Sequence, residues 1–277
     1  MNALAPTLPA VLTFAATDPT SGAGLQADIL AIASMGCYPL SVVTALTVQD
    51  TAGVESFLAI DPDWVADQAR CILEDMPIAA FKMGMLGSTE IVTMVAEVVS
   101  DYPDIPLVLD PVLASGRGDD FASEDMIRAI RELLVPQSTV VTPNIPELRR
   151  LADEDDNDDA NLAECAQRLL DTGCEYVLVT GTHASTADVV NTLYHRGGIL
   201  RADTWQRLPG SYHGSGCTLA AALAANLARG LDIGDAVYEA QDYTWHALAH
   251  AFRPGMGQYL PDRLFWAREA DGDDDAK

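Results

Sequence analysis

The segment Gly210-Ser211-Tyr212-His213-Gly214-Ser215-Gly216-Cys217-Thr218 gathers glycines, hydroxyls, a histidine and a thiol directly before an alanine-rich helical run, Leu219 to Arg229. A glycine-rich loop that opens a helix presents backbone N–H groups without intrahelical partners, and the helix dipole adds to their pull on an anion. Phosphate is the natural guest. Cys217 falls in the first turn of that helix, where the positive end lowers a thiol pKa and makes the group a proton acceptor or nucleophile. A packing turn with a buried, inert cysteine would read the same way in isolation.

Two more loops supply context. Asp18-Pro19-Thr20-Ser21-Gly22-Ala23-Gly24-Leu25-Gln26-Ala27-Asp28 directly follows an apolar run and opens a helical segment, and Thr142-Pro143-Asn144-Ile145-Pro146-Glu147 does the same later in the chain. The elements that must position these loops are short apolar runs bounded by turn residues: Ala10 to Thr17, Ser41 to Val48, Ala80 to Met83, Leu107 to Asp110, Thr139 to Thr142 and Tyr176 to Thr180. Between them, Leu25, Ile29 and Ile32 share one helical face, and Ile91, Val95 and Val98 share another. This β-α-β alternation, with continuously apolar strands, predicts a mostly parallel sheet covered by helices on both faces, with chemistry on the loops beyond the strand carboxyl ends. Val189 to Tyr194 and Ile199 to Leu208, joined through Arg196-Gly197-Gly198, predict a hairpin at the sheet edge.

With 277 residues, 49% hydrophobic and 21% charged, the chain can bury a sizeable core; it shows no Ser/Pro-rich linker and no internal repeat, and one domain is expected. Sixteen basic residues against 41 acidic give a net charge of −25, and the only lysines are Lys82 and Lys277. Such a chain repels nucleic-acid backbones and anionic membranes, so neither is an expected partner. Without G-x-x-x-x-G-K-[ST] around Lys82 it is not a P-loop nucleotidase. The acid excess suits a protein kept soluble in concentrated salt and equally an ordinary acidic cytoplasmic protein. Cys37, Cys71, Cys165, Cys174 and Cys217 show no C-x-x-C spacing, so a reducing compartment and no zinc site are expected. The uncharged first 17 residues lack a positive n-region and are interrupted by Pro6 and Pro9, unlike a signal peptide; no apolar run has membrane-spanning length. The acidic stretches Asp153 to Asp159 and Asp271 to Asp275 read as solvated charge. The first aligns with a calcium loop at Asp153, Asp155, Asn157, Asn161 and Glu164, but places Asp158 where the sharp turn needs glycine, so calcium is not expected.

The loops, taken with T-A-L-T-V-Q-D-T at Thr44 to Thr51, F-K-M-G-M-L at Phe81 to Leu86 and D-P-V at Asp110 to Val112, resemble the ribokinase-like fold, and specifically the hydroxymethylpyrimidine and phosphomethylpyrimidine kinases of thiamine synthesis. The match runs over nearly the whole chain. The resemblance implies an α/β, three-layer α/β/α sandwich with a mostly parallel central sheet and an edge hairpin. It makes Gly214, Ser215, Gly216 and Cys217 the anion hole over the transferring phosphoryl group, with Cys217 in the place of the aspartate base of the sugar kinases. It makes Gln49 the reader of the aminopyrimidine, since an amide offers a donor and an acceptor to a ring that carries both, with Gly22, Asp28 and Met85 as further pocket residues. Asn144 and Glu147 become the group that organises Mg²⁺ on the ATP phosphates, Asp110, Thr180 and Gly181 lie near the nucleotide, and Arg117 sits in a flap, Ser115 to Asp119. Each has a plainer reading as well: a turn Asn and a helix-start Glu for Asn144 and Glu147, a helix-surface carboxylate for Asp28, core for Met85, a turn former for Asp110, a solvent loop for the flap. Lys82 reads as a strand-end lysine with its head in water.

The chain departs from its relatives at Thr180-Gly181-Thr182-His183, where they commonly show K-G-G-H, so a usual lysine near the nucleotide is absent. The flap also lacks the second cysteine of some pyridoxal-phosphorylating relatives. The resulting reading is an ATP- and Mg²⁺-dependent kinase of a small-molecule pyrimidine, expected as a homodimer. Pyridoxal or pyridoxine kinase is the alternative, and a non-catalytic pyrimidine sensor on the same fold is the reading from a different class.

Overall fold

The computed structural model describes residues 8–114, 121–153, 161–184 and 186–269. Arg117, most of the acidic stretch from Asp153 to Asp159 and the C-terminal acidic run therefore lie outside the described residues. In chain order the strands are β1 (Ala10–Ala15), β2 (Tyr38–Val43), β3 (Ala45–Gln49), β4 (Val54–Ala59), β5 (Ala80–Met83), β6 (Leu107–Leu109), β7 (Val140–Val141), β8 (Tyr176–Val179), β9 (Asp188–His195) and β10 (Gly198–Gln206). The α-helices are α1 (Gly24–Ser34), α2 (Pro62–Asp75), α3 (Thr89–Ser100), α4 (Glu124–Ala129), α5 (Ile145–Leu151), α6 (Leu162–Thr172), α7 (Ser215–Ala228), α8 (Ile233–Ala249) and α9 (Phe265–Glu269).

Eight strands form one sheet in the order β10-β9-β8-β7-β6-β5-β1-β2. From β2 to β8 neighbours run parallel, while β9 and β10 add an antiparallel hairpin at the edge, as the sequence predicts. Alternation along each strand builds a core on either side. Leu12 and Phe14 of β1 join α2 to α6 on one face, whereas Val11 joins α1, α7 and α8 on the other. This is the expected three-layer α/β/α sandwich. Helix α7 lies over the centre of the sheet between α1 and α8, and nine consecutive residues from Thr218 to Asn226 are buried. Its run of alanines lets three surfaces approach one helix at once. Among the described residues no helix is long and apolar enough to cross a membrane.

One predicted strand is two. The run Ser41 to Val48 breaks at Thr44: β2 stays in the main sheet, and β3 leaves it to pair antiparallel with β4 as a separate ribbon. The break is fixed by the Thr44 hydroxyl donating to the Met85 carbonyl at 2.6 Å, by Thr44 N donating to Ala15 O and by Ile60 N donating to Thr44 O. Gln49 is thus at the end of the ribbon's first strand, not of the sheet's second. At that point the β3–β4 register shifts, leaving Glu55 as an extra residue opposite, a bulge of the kind that re-aims a side chain.

Candidate active site

The three loops meet at the carboxyl ends of β1, β6 and β7, around the first turn of α7. In the first loop Asp18 is the organiser. Its Oδ1 accepts from the backbone N–H and the hydroxyl of Thr20, both at 2.8 Å, and its Oδ2 accepts from Ala23 N at 2.8 Å. The same Oδ2 takes a hydrogen bond from His213 Nε2 at 2.8 Å, which ties the first loop to the glycine-rich loop 195 positions away. Burial alone would raise the Asp18 carboxyl, but His213 and the Thr20 and Ala23 donors outweigh it and hold the group below the usual carboxylate range. Gly214 caps α7 with φ +82°, and a Cβ there would stand 1.8 Å from the Gly22 carbonyl oxygen. Only glycine permits that backbone-to-backbone contact. Gly22 is likewise enclosed, by the His213 ring and Leu260.

Beneath this junction lies a buried charge cluster. Lys82 and Asp28 are both inaccessible to solvent and pair at 2.9 Å, and the Thr13 hydroxyl donates to the same Asp28 oxygen at 2.6 Å. The expectations for both residues are corrected. Lys82, on a central strand, cannot reach water and is neutralised by Asp28, and Asp28 is neither a surface carboxylate nor an open pocket wall. Asp110, closing β6, is pushed up to about 6 by burial, with Lys82 and the adjacent Cys217 thiol opposing that rise. Gly216 faces it, since a Cβ built there would be 3.9 Å from Asp110 Oδ1. Cys217, half-buried, is pushed up to about 12 by burial, Lys82 opposing and Asp110 and Asp28 adding to it. The lowered thiol pKa expected from a helix N-terminus is therefore overturned: desolvation and two nearby carboxylates outweigh the dipole.

Asn144 and Glu147 form a reciprocal cap on α5, Asn144 Oδ1 accepting from Glu147 N and Glu147 Oε2 accepting from Asn144 N, both at 2.9 Å. The plainer structural role is realised, and the Leu113 backbone holds the Glu147 carboxylate as well. Glu147 is pushed up to about 8 by burial, with Asp110's charge adding. Two buried carboxylates that repel each other, in an all-oxygen donor set, fit a hard cation such as Mg²⁺. Among the described residues no group of three or more His, Cys, Asp and Glu side chains forms a metal cage. Such an ion would draw most of its shell from other oxygen donors such as phosphates and water.

A cavity of about 390 Å³ opens beside α7 and brings Asn144, Thr180, Ser215 and Gly216 together with Trp205 and Trp245. Thr180 is held there by its N–H bond to Pro143 O at 3.0 Å. Gly181 instead packs against β9, where a Cβ would lie 2.1 Å from Val190 O, and its N–H donates to Asn191 Oδ1. Arg207 stands on the cavity wall, its guanidinium donating to the carbonyls of Thr182, Ala184 and Thr186. On the opposite side of the α7 start, Met85 packs with Ala16 and Ala45 at the root of the ribbon. Gln49 stands four residues farther along β3, roughly 13 Å from that root at strand rise. Sequence reasoning missed the Asp18–His213 bond, the burial of Lys82, and the tryptophans and Arg207 of the cavity. Only His213, inside the glycine-rich loop, was open to suspicion.

The phosphomethylpyrimidine kinase family matches residues 18–262. The chain is 39% identical over 241 residues to a hydroxymethylpyrimidine/phosphomethylpyrimidine kinase of Escherichia coli, covering 87% of this chain and 91% of that protein. A kinase of the same description from Mycobacterium bovis is 38% identical, with 94% and 95% covered. Among solved structures, pyridoxal kinase from Staphylococcus aureus in complex with pyridoxal superposes with TM-score 0.85 at 27% identity, covering 95% of this chain and 96% of that one. Phosphomethylpyrimidine kinase from Clostridium difficile superposes with TM-score 0.74 at 30% identity, covering 87% and 99%. With glycine loop, thiol and capped Asn-Glu pair at one junction of this sandwich, the chain belongs to the phosphomethylpyrimidine kinase family.

Proposed function

We propose that the enzyme transfers the γ-phosphoryl group of ATP to the hydroxymethyl oxygen of 4-amino-5-hydroxymethyl-2-methylpyrimidine, and then phosphorylates the monophosphate to the diphosphate, in thiamine biosynthesis. The observation that carries this reading is the position of Cys217: a thiol in the first turn of α7, beside Asp110 and against the loop of Gly22 and Gly24, next to the cavity lined by Asn144, Thr180, Ser215 and Gly216. The cavity takes the nucleotide. Backbone N–H groups of Gly214 to Gly216 hold the phosphoryl oxygens, and Gln49 with Gly22 and Met85 orients the pyrimidine on the far side of the thiol. Because burial keeps Cys217 protonated, it can accept the hydroxymethyl proton only as its own proton leaves. Asp110, ionised above about pH 6, is the adjacent group that can receive it. Asn144 and Glu147, with water, would hold a magnesium ion, which would supply positive charge for the nucleotide phosphates. The same reading places the enzyme in the cytoplasm, consistent with scattered cysteines in no motif, and as a homodimer, checked by light scattering.

A second reading, pyridoxal kinase, is favoured by the 0.85 superposition on the pyridoxal complex. The test is ADP release with Mg·ATP and either hydroxymethylpyrimidine or pyridoxal, at low and high salt. Faster turnover with the pyrimidine supports the first reading, turnover with pyridoxal alone supports the second, and binding of pyrimidine without turnover by either leaves only a sensor.

A further inference from the structure

Arg263 follows the last turn of the sandwich and precedes α9, beyond the residues that the family matches. Its side chain is 3% exposed, yet among the described residues no carboxylate lies within ion-pairing distance of it. Instead the guanidinium spans both glycine loops. Nη1 donates to Ser21 O at 3.1 Å, Nη2 to Gly22 O and, at 3.5 Å, to Gly214 O, and Nε to the Thr218 hydroxyl at 3.0 Å. That hydroxyl in turn donates to Gly214 O at 2.7 Å, so the start of α7 is gripped twice. The arginine's own backbone is fastened to α8: Tyr243 OH donates to Arg263 O at 2.8 Å and Asp262 N donates to Ala247 O at 2.9 Å.

Asp28 and Asp18 act on the Arg263 charge only from beyond hydrogen-bonding distance, so burying the guanidinium is costly, and a neutral amide would clip two loops at lower desolvation cost. An anion arriving on the other side of those loops would offset the rest of that cost. The arginine's planar fork, with donors in fixed directions, also sets the spacing of the carbonyls it holds. Gly22 O and the Gly214 backbone are already in contact, so this spacing is the distance between the first loop and the anion loop.

We propose that Arg263 is a positioning residue for phosphoryl transfer: its fork holds the Ser21–Gly22 loop against Gly214, fixing the distance between the acceptor hydroxyl and the phosphoryl group. The inference rests on the loop roles given above. Misplacing reacting atoms by about 1 Å costs on the order of 100-fold in rate. Arg263→Met, which keeps an apolar stem and removes the fork, is therefore expected to lower kcat about 100-fold while KM for ATP and for the pyrimidine shifts by less than about threefold. Arg263→Lys, able to reach only one carbonyl, is expected to stay at least about tenfold below wild type. Millimolar methylguanidinium is expected to restore kcat of Arg263→Ala at least about tenfold, and to leave Cys217→Ala unchanged.

A role limited to stability predicts a lowered melting temperature with kcat intact well below it. Folded Arg263→Met with kcat within about threefold of wild type, a loss confined to KM, or an Arg263→Lys enzyme equal to wild type overturns the proposal. Should Arg263→Met fail to fold, the lysine variant and the methylguanidinium arm decide. Silence of the wild-type enzyme with both acceptors would refute the kinase reading itself, a result distinct from an active wild type whose Arg263 variants are unaffected.

Discussion

Lys82→Met isolates the buried ion pair beneath the site. Both side chains of the pair are at 0% exposure, and after the substitution Asp28 keeps only the Thr13 hydroxyl, its Oδ1 having no hydrogen-bond partner. A carboxylate left in that position loses its compensating charge, and breaking one side of a buried pair costs about 3–5 kcal/mol. In a chain of this size that lowers the melting temperature by roughly 6–12 °C, at about 2 °C or slightly more per kcal/mol. Asp28→Asn/Lys82→Met removes both charges and leaves an amide that Thr13 can still bond, so it should recover most of the loss. Lys277→Met makes the same change in net charge and serves as the control. The assay is urea unfolding followed by circular dichroism, read as a shift of midpoint at constant slope. A Lys82→Met loss below about 1 kcal/mol, or a double variant no better than the single one, would refute the claim that these two residues neutralise each other in a dry interior.

Cys217→Ala should lower kcat by about 10²–10⁴-fold while calorimetric binding of the pyrimidine stays nearly unchanged. Because Asp110 must be ionised to take the thiol's proton, kcat/KM should rise with pH through about 6 and fall below it. Asp110→Asn should abolish that limb, and the Cys217→Ala/Asp110→Asn double variant should be no slower than Cys217→Ala, as expected of groups acting as a unit. Gly214→Ala, which would drive a Cβ to 1.8 Å from Gly22 O at φ +82°, should cost activity and thermal stability together, seen in a melt and a single rate measurement. Gln49→Ala should weaken pyrimidine binding about tenfold and ATP binding far less, and an equal loss of both would remove its role as reader of the ring.

The sheet and its loops were legible because each is a local pattern: apolar runs of strand length, helical periodicity between them, and glycines where a turn leads into a helix. The fork at Thr44 was not, because T-A-L-T-V reads as continuous strand and only the distant Met85 carbonyl and Ala15 oxygen reveal the break. Most of the other misses are polar contacts made across long sequence separation. Lys82 meets Asp28 over 54 positions, His213 meets Asp18 over 195, and Arg263 meets Gly22 over 241. Periodicity carries no information about such pairs, since a lysine that finds a buried carboxylate and a lysine that snorkels to water occupy strand ends with the same local sequence. The Cys217 thiol was misjudged for the same reason: the helix N-terminus that lowers its pKa is local, and the burial and carboxylates that raise it are not.

These long-range contacts also settle how a chain of net charge −25 can hold polyanions. The described cations near the site are engaged by the protein's own oxygens. Lys82 is spent on Asp28, Arg263 on loop carbonyls and Arg207 on the carbonyls of Thr182, Ala184 and Thr186. Among the described residues, short-range donors at the start of α7 are what face a phosphate, whereas the acidic exterior repels ATP from a distance. Added salt, with a screening length of about 10 Å at 0.1 M, removes the distant repulsion and leaves the buried contacts nearly untouched. Salt should thus lower KM for ATP in this enzyme, the reverse of its effect on a site that recruits nucleotide through an exposed basic surface.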